Sequence, residues 1–279
     1  MCVLGNCHEF VKTIPDESTQ LVLTSPPYNI GKKYEGRVRD MSDWCDEQSD
    51  IIQEVWRILK PGGSACWQVG NHIKDGEVVP LDWLLWPIFS TTGFVLRNRI
   101  IWRFGHGLHC KNRLSGRYEV VLWFTKGDGY HFDLDPIRVA QKYPGKKHHK
   151  GPKKGQYSGN PKGKNPSDVW DIPNVKHNHV EKTIHPCQFP VALAERLVRA
   201  LSRPSDAVFD PFGGVGSTCV AAVRSGRRGV SCEVYKPYHD VAIQRIESAL
   251  QGKEVIREDK PVYEPKKSHA LTNNPWSDS

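Results

Sequence analysis

The chain has 279 residues, 38% hydrophobic and 25% charged, which suits one large globular domain or one domain carrying an insertion. No apolar run approaches the roughly 18 residues of a membrane span, and the start, Met1-Cys2-Val3-Leu4-Gly5-Asn6, has no basic or apolar signal region, so a soluble cytoplasmic protein without a membrane partner is expected. The net charge of +8 is unevenly spread: residues 136–165 hold eight lysines and Arg138 with no acid, and residues 97–117 hold six basic residues with no acid, a pattern that fits a polyanion partner. Eight scattered cysteines without a CxxC pair point to reduced thiols, and no metal site is expected.

In chain order, Leu21-Val22-Leu23-Thr24 is a short buried-strand run that stops at Ser25-Pro26-Pro27. Ile51, Ile52, Val55, Ile58 and Leu59 recur at helical spacing over residues 50–59, and Lys60-Pro61-Gly62-Gly63 ends that helix. A strand over 64–69 follows. Residues 81–89 suggest a further helix interrupted by Pro87, and residues 94–104 and 118–125 are β-rich. From 130 to 182 the chain is rich in Lys, Gly, Pro, Asn and His and poor in apolar periodicity, which inside a compact domain marks a functional or disordered excursion. Helix returns over 189–201, then a strand at 207–209, a small-residue helix at 217–224, a strand at 229–232 and a helix over 238–250; the rest reads as a loose tail. Alternating strands and helices predict an α/β fold with a doubly wound, mainly parallel sheet. The boundaries expected are 1–129 and 183–252 for two parts of one domain, 130–182 for the insertion and 253–279 for the tail.

Asp210-Pro211-Phe212-Gly213-Gly214-Val215-Gly216 sits between a strand and a helix, where glycines admit close backbone approach and the helix start offers unpaired N–H groups. Glu233 lies 19 residues past Gly214 at the next strand's tip, placed to accept hydrogen bonds from ribose hydroxyls. The third glycine of a dinucleotide fingerprint is missing, and Ser217-Thr218 follow no Gly-Lys pair, so a Walker A loop is excluded. The Phe-x-Gly-x-Gly form behind Asp-Pro resembles the S-adenosylmethionine loop of methyltransferases.

Two prolines after a strand stiffen the turn Ser25-Pro26-Pro27-Tyr28. An exocyclic base amine is conjugated with its ring and is a poor nucleophile. Hydrogen bonds from its N–H groups to Ser25 and the Pro26 carbonyl favour a pyramidal nitrogen, while Tyr28 stacks on a base flipped from the duplex. Direct in-line methyl transfer then needs positioning rather than a metal or a covalent enzyme intermediate.

Thr24-Ser25-Pro26-Pro27-Tyr28 resembles the catalytic motif of amino-methylating DNA methyltransferases, and its position ahead of the cofactor loop resembles the permuted beta group of that N4-cytosine/N6-adenine family. Gly5-Asn6-Cys7, Arg57-Ile58-Leu59-Lys60-Pro61-Gly62-Gly63, Val169-Trp170-Asp171-Ile172-Pro173, His185-Pro186 with Phe189-Pro190, and the stretch from Asp210 to Thr218 match the same pattern. The resemblance covers about residues 3–250 and implies a class I S-adenosylmethionine-dependent methyltransferase fold with circularly permuted motifs, and a site-specific activity on double-stranded DNA. It implies that Asp210, Phe212, Gly214 and Gly216, with Ser217 and Thr218 at the helix start, hold the methionine part of S-adenosyl-L-methionine, that Glu233 holds its ribose, and that His185 and Pro186 lie beside it. Asn6 stands where the family often has an acidic residue near the adenine. The basic insertion is implied to recognise DNA, with Lys146, Lys147, Lys150, Lys153, Lys154, Lys162 and Lys164 on phosphates. A cognate restriction endonuclease and a homodimer are partners compatible with this family. Ser in the motif's first position tends to go with cytosine N4, and Asp or Asn with adenine N6; cytosine N4 is favoured here, with adenine N6 as the alternative.

Other readings compete. Pro186-Cys187 could supply the thiolate of a cytosine-C5 methyltransferase, but such an enzyme needs no SPPY turn. His177-Asn178-His179 lacks the metal-binding context of a nuclease. A non-catalytic nucleic-acid-binding protein would use the lysines and aromatics alone. An RNA substrate stays open, and the basic insertion argues against a small molecule.

Overall fold

Side chains of a strand alternate between the two faces of its sheet. In β2 (Thr19–Thr24) every residue is buried: Leu21 and Leu23 enter one core, Val22 the other. A strand apolar on both faces must lie inside a sheet covered on both sides, and β2 does. The computed structural model describes residues 1–31, 35, 40–105, 107 and 109–257, so the expected tail at 253–279 lies outside the described residues from 258 onward.

The other elements are β1 (Cys2–Leu4), α1 (Cys7–Lys12), α2 (Met41–Ile58), β3 (Leu59–Val69), the hairpin of β4 (Asn71–Lys74) and β5 (Glu77–Pro80), α3 (Leu81–Thr92), β6 (Val95–Arg103), β7 (Tyr118–Thr125), β8 (Val169–Asp171), α4 (Val191–Leu201), β9 (Ala207–Asp210), α5 (Ser217–Arg224), β10 (Arg228–Glu233) and α6 (Lys236–Leu250). The main sheet has the order β1-β10-β9-β2-β3-β7-β6-β8. From β1 to β3 all pairings are parallel; β7 then runs antiparallel to both β3 and β6, and β8 pairs parallel with β6. The expected doubly wound sheet is present, with a reversed strand inserted on one side.

Helix α2 turns Ile51, Ile52, Val55 and Ile58 onto one core, where they meet Leu81, Leu85 and Phe89 of α3. Phe89 stacks on Phe124 of β7 with ring centroids 4.1 Å apart. On the opposite face α4 and α5 pack Leu193, Leu197, Val198 and Val220 together, with Ala242 and Ile246 of α6. Helix α3 runs through Pro87 to Thr92 rather than breaking there. The proline ring removes one backbone donor, and the burial of Leu85 and Phe89 on either side holds the helix together.

The segment 130–182 is anchored at both ends. Ile137 packs on the α4 core, Trp102 Nε1 donates to the Ile172 carbonyl at 2.8 Å, and β8 with its buried Trp170 completes the sheet edge. Between these anchors the chain is loop, closed by the backbone bridges Val139–Lys164 and Lys147–Tyr157. The carboxyl ends of β1, β10, β9, β2 and β3 lie along one edge of the sheet, and the amino end of β7 reaches that edge only because it runs backwards. Among the described residues, no helix is long and apolar enough to cross a membrane.

Candidate functional site

Strands β2 and β9 are neighbours, and each ends in a motif residue. Thr24 Oγ1, at the end of β2, donates to Asp210 Oδ1, at the end of β9, at 2.5 Å. The same carboxylate oxygen accepts the Phe212 N–H at 3.1 Å, which folds the chain into the glycine loop. Thr218 Oγ1, on the second residue of α5, donates to the Leu23 carbonyl at 3.2 Å. These bonds clamp the loop at 211–216 against the turn at 25–28. Asp210 is buried, and loss of water raises its pKa to about 6 against the opposing hydrogen bonds from Thr24, Thr218 and Phe212.

The loop has left-handed backbone at Gly214 (φ 51°) and Gly216 (φ 78°). A Cβ on Gly216 would lie 3.1 Å from Ala242 Cβ, so glycine lets α5 begin directly against α6. Gly216 gives α5 no side-chain cap, which leaves the first N–H groups of that helix open to an anionic ligand. Glu233 Oε2 accepts the Gly214 N–H at 2.8 Å and Oε1 the Tyr235 N–H at 2.7 Å. Burial raises the Glu233 pKa, with these two backbone bonds opposing it.

On the other wall the Pro27 carbonyl is taken by Trp44 Nε1 at 2.8 Å, while no hydrogen bond among the described residues involves the Pro26 carbonyl. Asn29 follows in the left-handed region (φ 59°), a conformation asparagine tolerates, and turns the chain away. Ser25 Oγ donates to Tyr28 Oη at 3.2 Å, and Tyr28 Oη donates to Glu119 Oε2 at 3.1 Å. Burial, then the Glu119 charge, pushes the Tyr28 phenol well above its ordinary range, so it stays protonated.

Ser25, Pro26, Pro27, Tyr28, His185, Phe212, Gly214, Ser217 and Glu233 all line one cleft. Asn6, Pro186, Asp210, Gly216 and Thr218 are not among its lining residues. Asn6 is the N-cap of α1, its Oδ1 accepting the His8 N–H at 2.9 Å, and its neighbours Gly5 and Cys7 face the cleft instead. Asp210 and Thr218 sit beneath the lining and shape it. His185 is held neutral: burial and then Lys182 lower its pKa to about 4. Its Nδ1 accepts the Cys187 N–H at 3.1 Å, so in the neutral ring the proton sits on Nε2. Tyr238, on α6, packs its ring at a tilt against His185, with centroids 4.5 Å apart, and also lines the cleft. The sequence offers no motif for Tyr238, because only tertiary packing brings α6 there.

The seven lysines at 146–164 lie apart from the cleft, and all are exposed. Lys147 sits over the Tyr157 ring at 5.0 Å, and Lys162 is engaged by the Asp135 carboxylate. Among the described residues, no group of three or more His, Cys, Asp or Glu is arranged to hold a metal ion.

The donor set of the cleft fits S-adenosylmethionine. An uncapped helix start suits the carboxylate of its methionine part, a strand-end carboxylate suits its ribose hydroxyls, and Phe212, Val215 and Val234 give apolar surface to a purine. A DNA methylase family model matches residues 19–244. The chain is 48% identical over 241 residues to type II methyltransferase M.BglII of Bacillus subtilis, covering 86% of this chain and 67% of that one. It is 37% identical over 258 residues to type II methyltransferase M.ScaI of Streptomyces caespitosus, covering 89% and 81%. Among solved structures, the Thermus thermophilus protein TTHA0409, described as a DNA modification methylase and complexed with S-adenosyl-L-methionine, superposes with a TM-score of 0.65 at 28% identity, covering 90% of this chain and 94% of that one.

A buried carboxylate with a raised pKa destabilises the fold once it ionises, because the folded state binds the proton more tightly than the unfolded chain. Asn at this position keeps the oxygen that accepts from Thr24 and adds a donor that faces Thr218. Asp210→Asn is therefore expected to match the wild type in urea unfolding of the ligand-free protein near pH 4. It should gain as pH rises from about 4 to about 6 and level off above that, reaching about 1–3 kcal/mol of extra stability at neutral pH. A gap that does not vary with pH would refute the buried-ionisation account.

Proposed function

The chain belongs to the N6/N4 DNA methylase family and is an S-adenosylmethionine-dependent DNA methyltransferase; from that premise we propose that it methylates the N4 amine of a cytosine, flipped from duplex DNA at a specific sequence. The observation that carries this reading is the pairing of the Ser25 hydroxyl with a Pro26 carbonyl that has no partner among the described residues, on the wall facing the glycine loop. Ser in this position tends to go with cytosine N4 in the family this motif resembles, and Asp or Asn with adenine N6.

S-adenosylmethionine, when bound, supplies an electrophilic methyl group on a sulfonium. The chain's own residues do the rest by orientation. The Pro26 carbonyl and Ser25 Oγ accept the two N–H groups of the base amine, which turns its lone pair out of conjugation and toward the cofactor wall. The ring of Tyr28 lines the cleft and stacks on the flipped base. Pro26 and Pro27 stop the turn from relaxing. Asp210, through Thr24 and Phe212, fixes the distance between the two walls, and Glu233, Gly214 and the start of α5 at Ser217 hold the cofactor, with Thr218 buttressing the loop from beneath. His185 donates from Nε2 beside Gly214, where Pro186 ends its segment.

The loop between the Ile137 and β8 anchors carries target recognition, with Lys146, Lys147, Lys150, Lys153, Lys154 and Lys164 on DNA phosphates and Lys162 bracing the loop through Asp135. A restriction endonuclease acting at the same sequence is the partner that the type II names of the relatives point to.

Two outcomes follow. Ser25→Ala and Tyr28→Ala are expected to cut single-turnover methyl transfer by about 100-fold or more, with cofactor affinity within about 3-fold of wild type. Glu233→Ala should instead raise the cofactor Kd by about 10-fold or more. Labelled transfer to plasmid DNA and calorimetric titration of the cofactor measure these, and the reverse partition would show the two walls to be misassigned. Replacing Lys146, Lys147, Lys150, Lys153 and Lys154 with Ala should reduce the slope of log affinity for DNA against log salt by about 3–5; an unchanged slope would remove the segment from the phosphate contacts.

A further inference from the structure

Glu119 belongs to no motif and serves no role in the scheme above. It is the second residue of β7, and the antiparallel run of that strand carries it to the carboxyl end of β3. There its carboxylate accepts from Tyr28 Oη at 3.1 Å and from Gln68 Nε2. Gly70 makes room for this: a Cβ there would lie 3.2 Å from the Tyr28 ring and 3.3 Å from the Glu119 side chain. The groups facing Glu119 are Tyr28 and Ser25 from the turn, Gln68 from β3, and Trp102, its register partner on β6. Arg103, the next residue on β6, is engaged by Asp171, and no cation among the described residues contributes to the state of Glu119.

The bond directions are as telling as the distances. Ser25 Oγ donates to Tyr28 Oη, and Tyr28 Oη donates to Glu119, so every hydrogen in the chain points from the cleft to one carboxylate. Ser25 spends its hydrogen on Tyr28 and keeps its lone pairs for a donor in the cleft. Methylation of a neutral amine leaves the nitrogen with one proton too many, and in a site closed by a flipped base and a cofactor that proton needs a route out.

We propose that Glu119 is the terminal proton acceptor of the methyl-transfer step, working through a Ser25–Tyr28 relay; this rests on the base-side reading of the turn at 25–28. As the N–C bond forms and the S–C bond breaks, an N–H proton of the amine moves to Ser25 Oγ. The Ser25 proton moves to Tyr28 Oη and the Tyr28 proton to Glu119. The nitrogen returns to neutrality, both hydroxyls end as they began, and only the carboxylate is changed. Glu119 then returns its proton to solvent when the products leave and the site reopens. Burial raises its pKa while Gln68 and Tyr28 oppose that, which brings a carboxylate nearer the working range of a general base.

The test compares wild type, Glu119→Gln, Glu119→Asp, Tyr28→Phe and Ser25→Ala in single-turnover transfer to a plasmid that the wild type methylates, with both substrates saturating, across pH. Wild-type transfer should fall about 10-fold per pH unit below the Glu119 pKa, because the acceptor must be ionised. Glutamine can still accept from Tyr28 but cannot take its proton. Glu119→Gln and Tyr28→Phe should therefore slow transfer by about 100-fold and lose that acidic limb, with cofactor and DNA affinities within about 2-fold of wild type. Glu119→Asp should recover part of the rate together with the limb. In the protein alone, the δ-carbon resonance of Glu119, identified by its absence from Glu119→Gln, should titrate above the ordinary glutamate range. Glu119→Gln within 3-fold of wild type at every pH, or slow with its acidic limb intact, would overturn the relay. If Ser25→Ala alone keeps wild-type transfer, the reading of the turn fails as well; if it is inactive while Glu119→Gln is active, only the relay fails.

Discussion

The hydrogen bond from Thr24 to Asp210 joins the ends of two adjacent parallel strands, and both walls of the cleft depend on it. One strand ends in the turn at 25–28, the other in the glycine loop at 211–216. Adjacent parallel strands hold their carboxyl ends at a fixed spacing, and a single buried carboxylate converts that spacing into the distance between the two walls of the cleft. Asp210 does so without lining the cleft itself, since its oxygen is already engaged by Thr24 and by the Phe212 N–H. In a reaction that needs only in-line approach of a nucleophile to a methyl group, that distance carries most of the catalysis.

This arrangement has a thermodynamic consequence. Asp210, Glu233 and Glu119 all have pKa values above the ordinary carboxylate range, each chiefly because burial removes water. These groups gather at one edge of the sheet, and the two cores on either side supply the stability. The stacked Phe89 and Phe124 and the packed α4–α5 pair supply that support away from the chemistry.

Much of the site was legible in the sequence because its parts are local. Ser25-Pro26-Pro27-Tyr28 is rigid by composition, and Asp210 with Gly214 and Gly216 joins strand to helix within a few residues. Helix α5 falls on the residues that its small side chains predict, 217–224. Longer elements were legible as kinds rather than as extents: the apolar periodicity of α2 covers its second half, whereas the helix begins at Met41. What the sequence concealed is set by pairing. Three-residue strands such as β1 and β8 have no period of their own and exist because Val3 pairs with Cys232 and Trp102 with Trp170. The reversal of β7 leaves no mark in its apolar run, so neither the position of Glu119 at the end of β3 nor its bond to Tyr28 could be inferred. Asn6 was expected beside the cofactor, but its side chain serves as a helix cap and does not line the cleft.

The central claim is that the cleft presents an exocyclic amine to the methyl group. The most direct measurement is mass spectrometry of nucleosides released from DNA after reaction with methyl-labelled cofactor. The account predicts that the label appears as N4-methylcytosine. Label on a ring carbon, as 5-methylcytosine, or no label in DNA would contradict it.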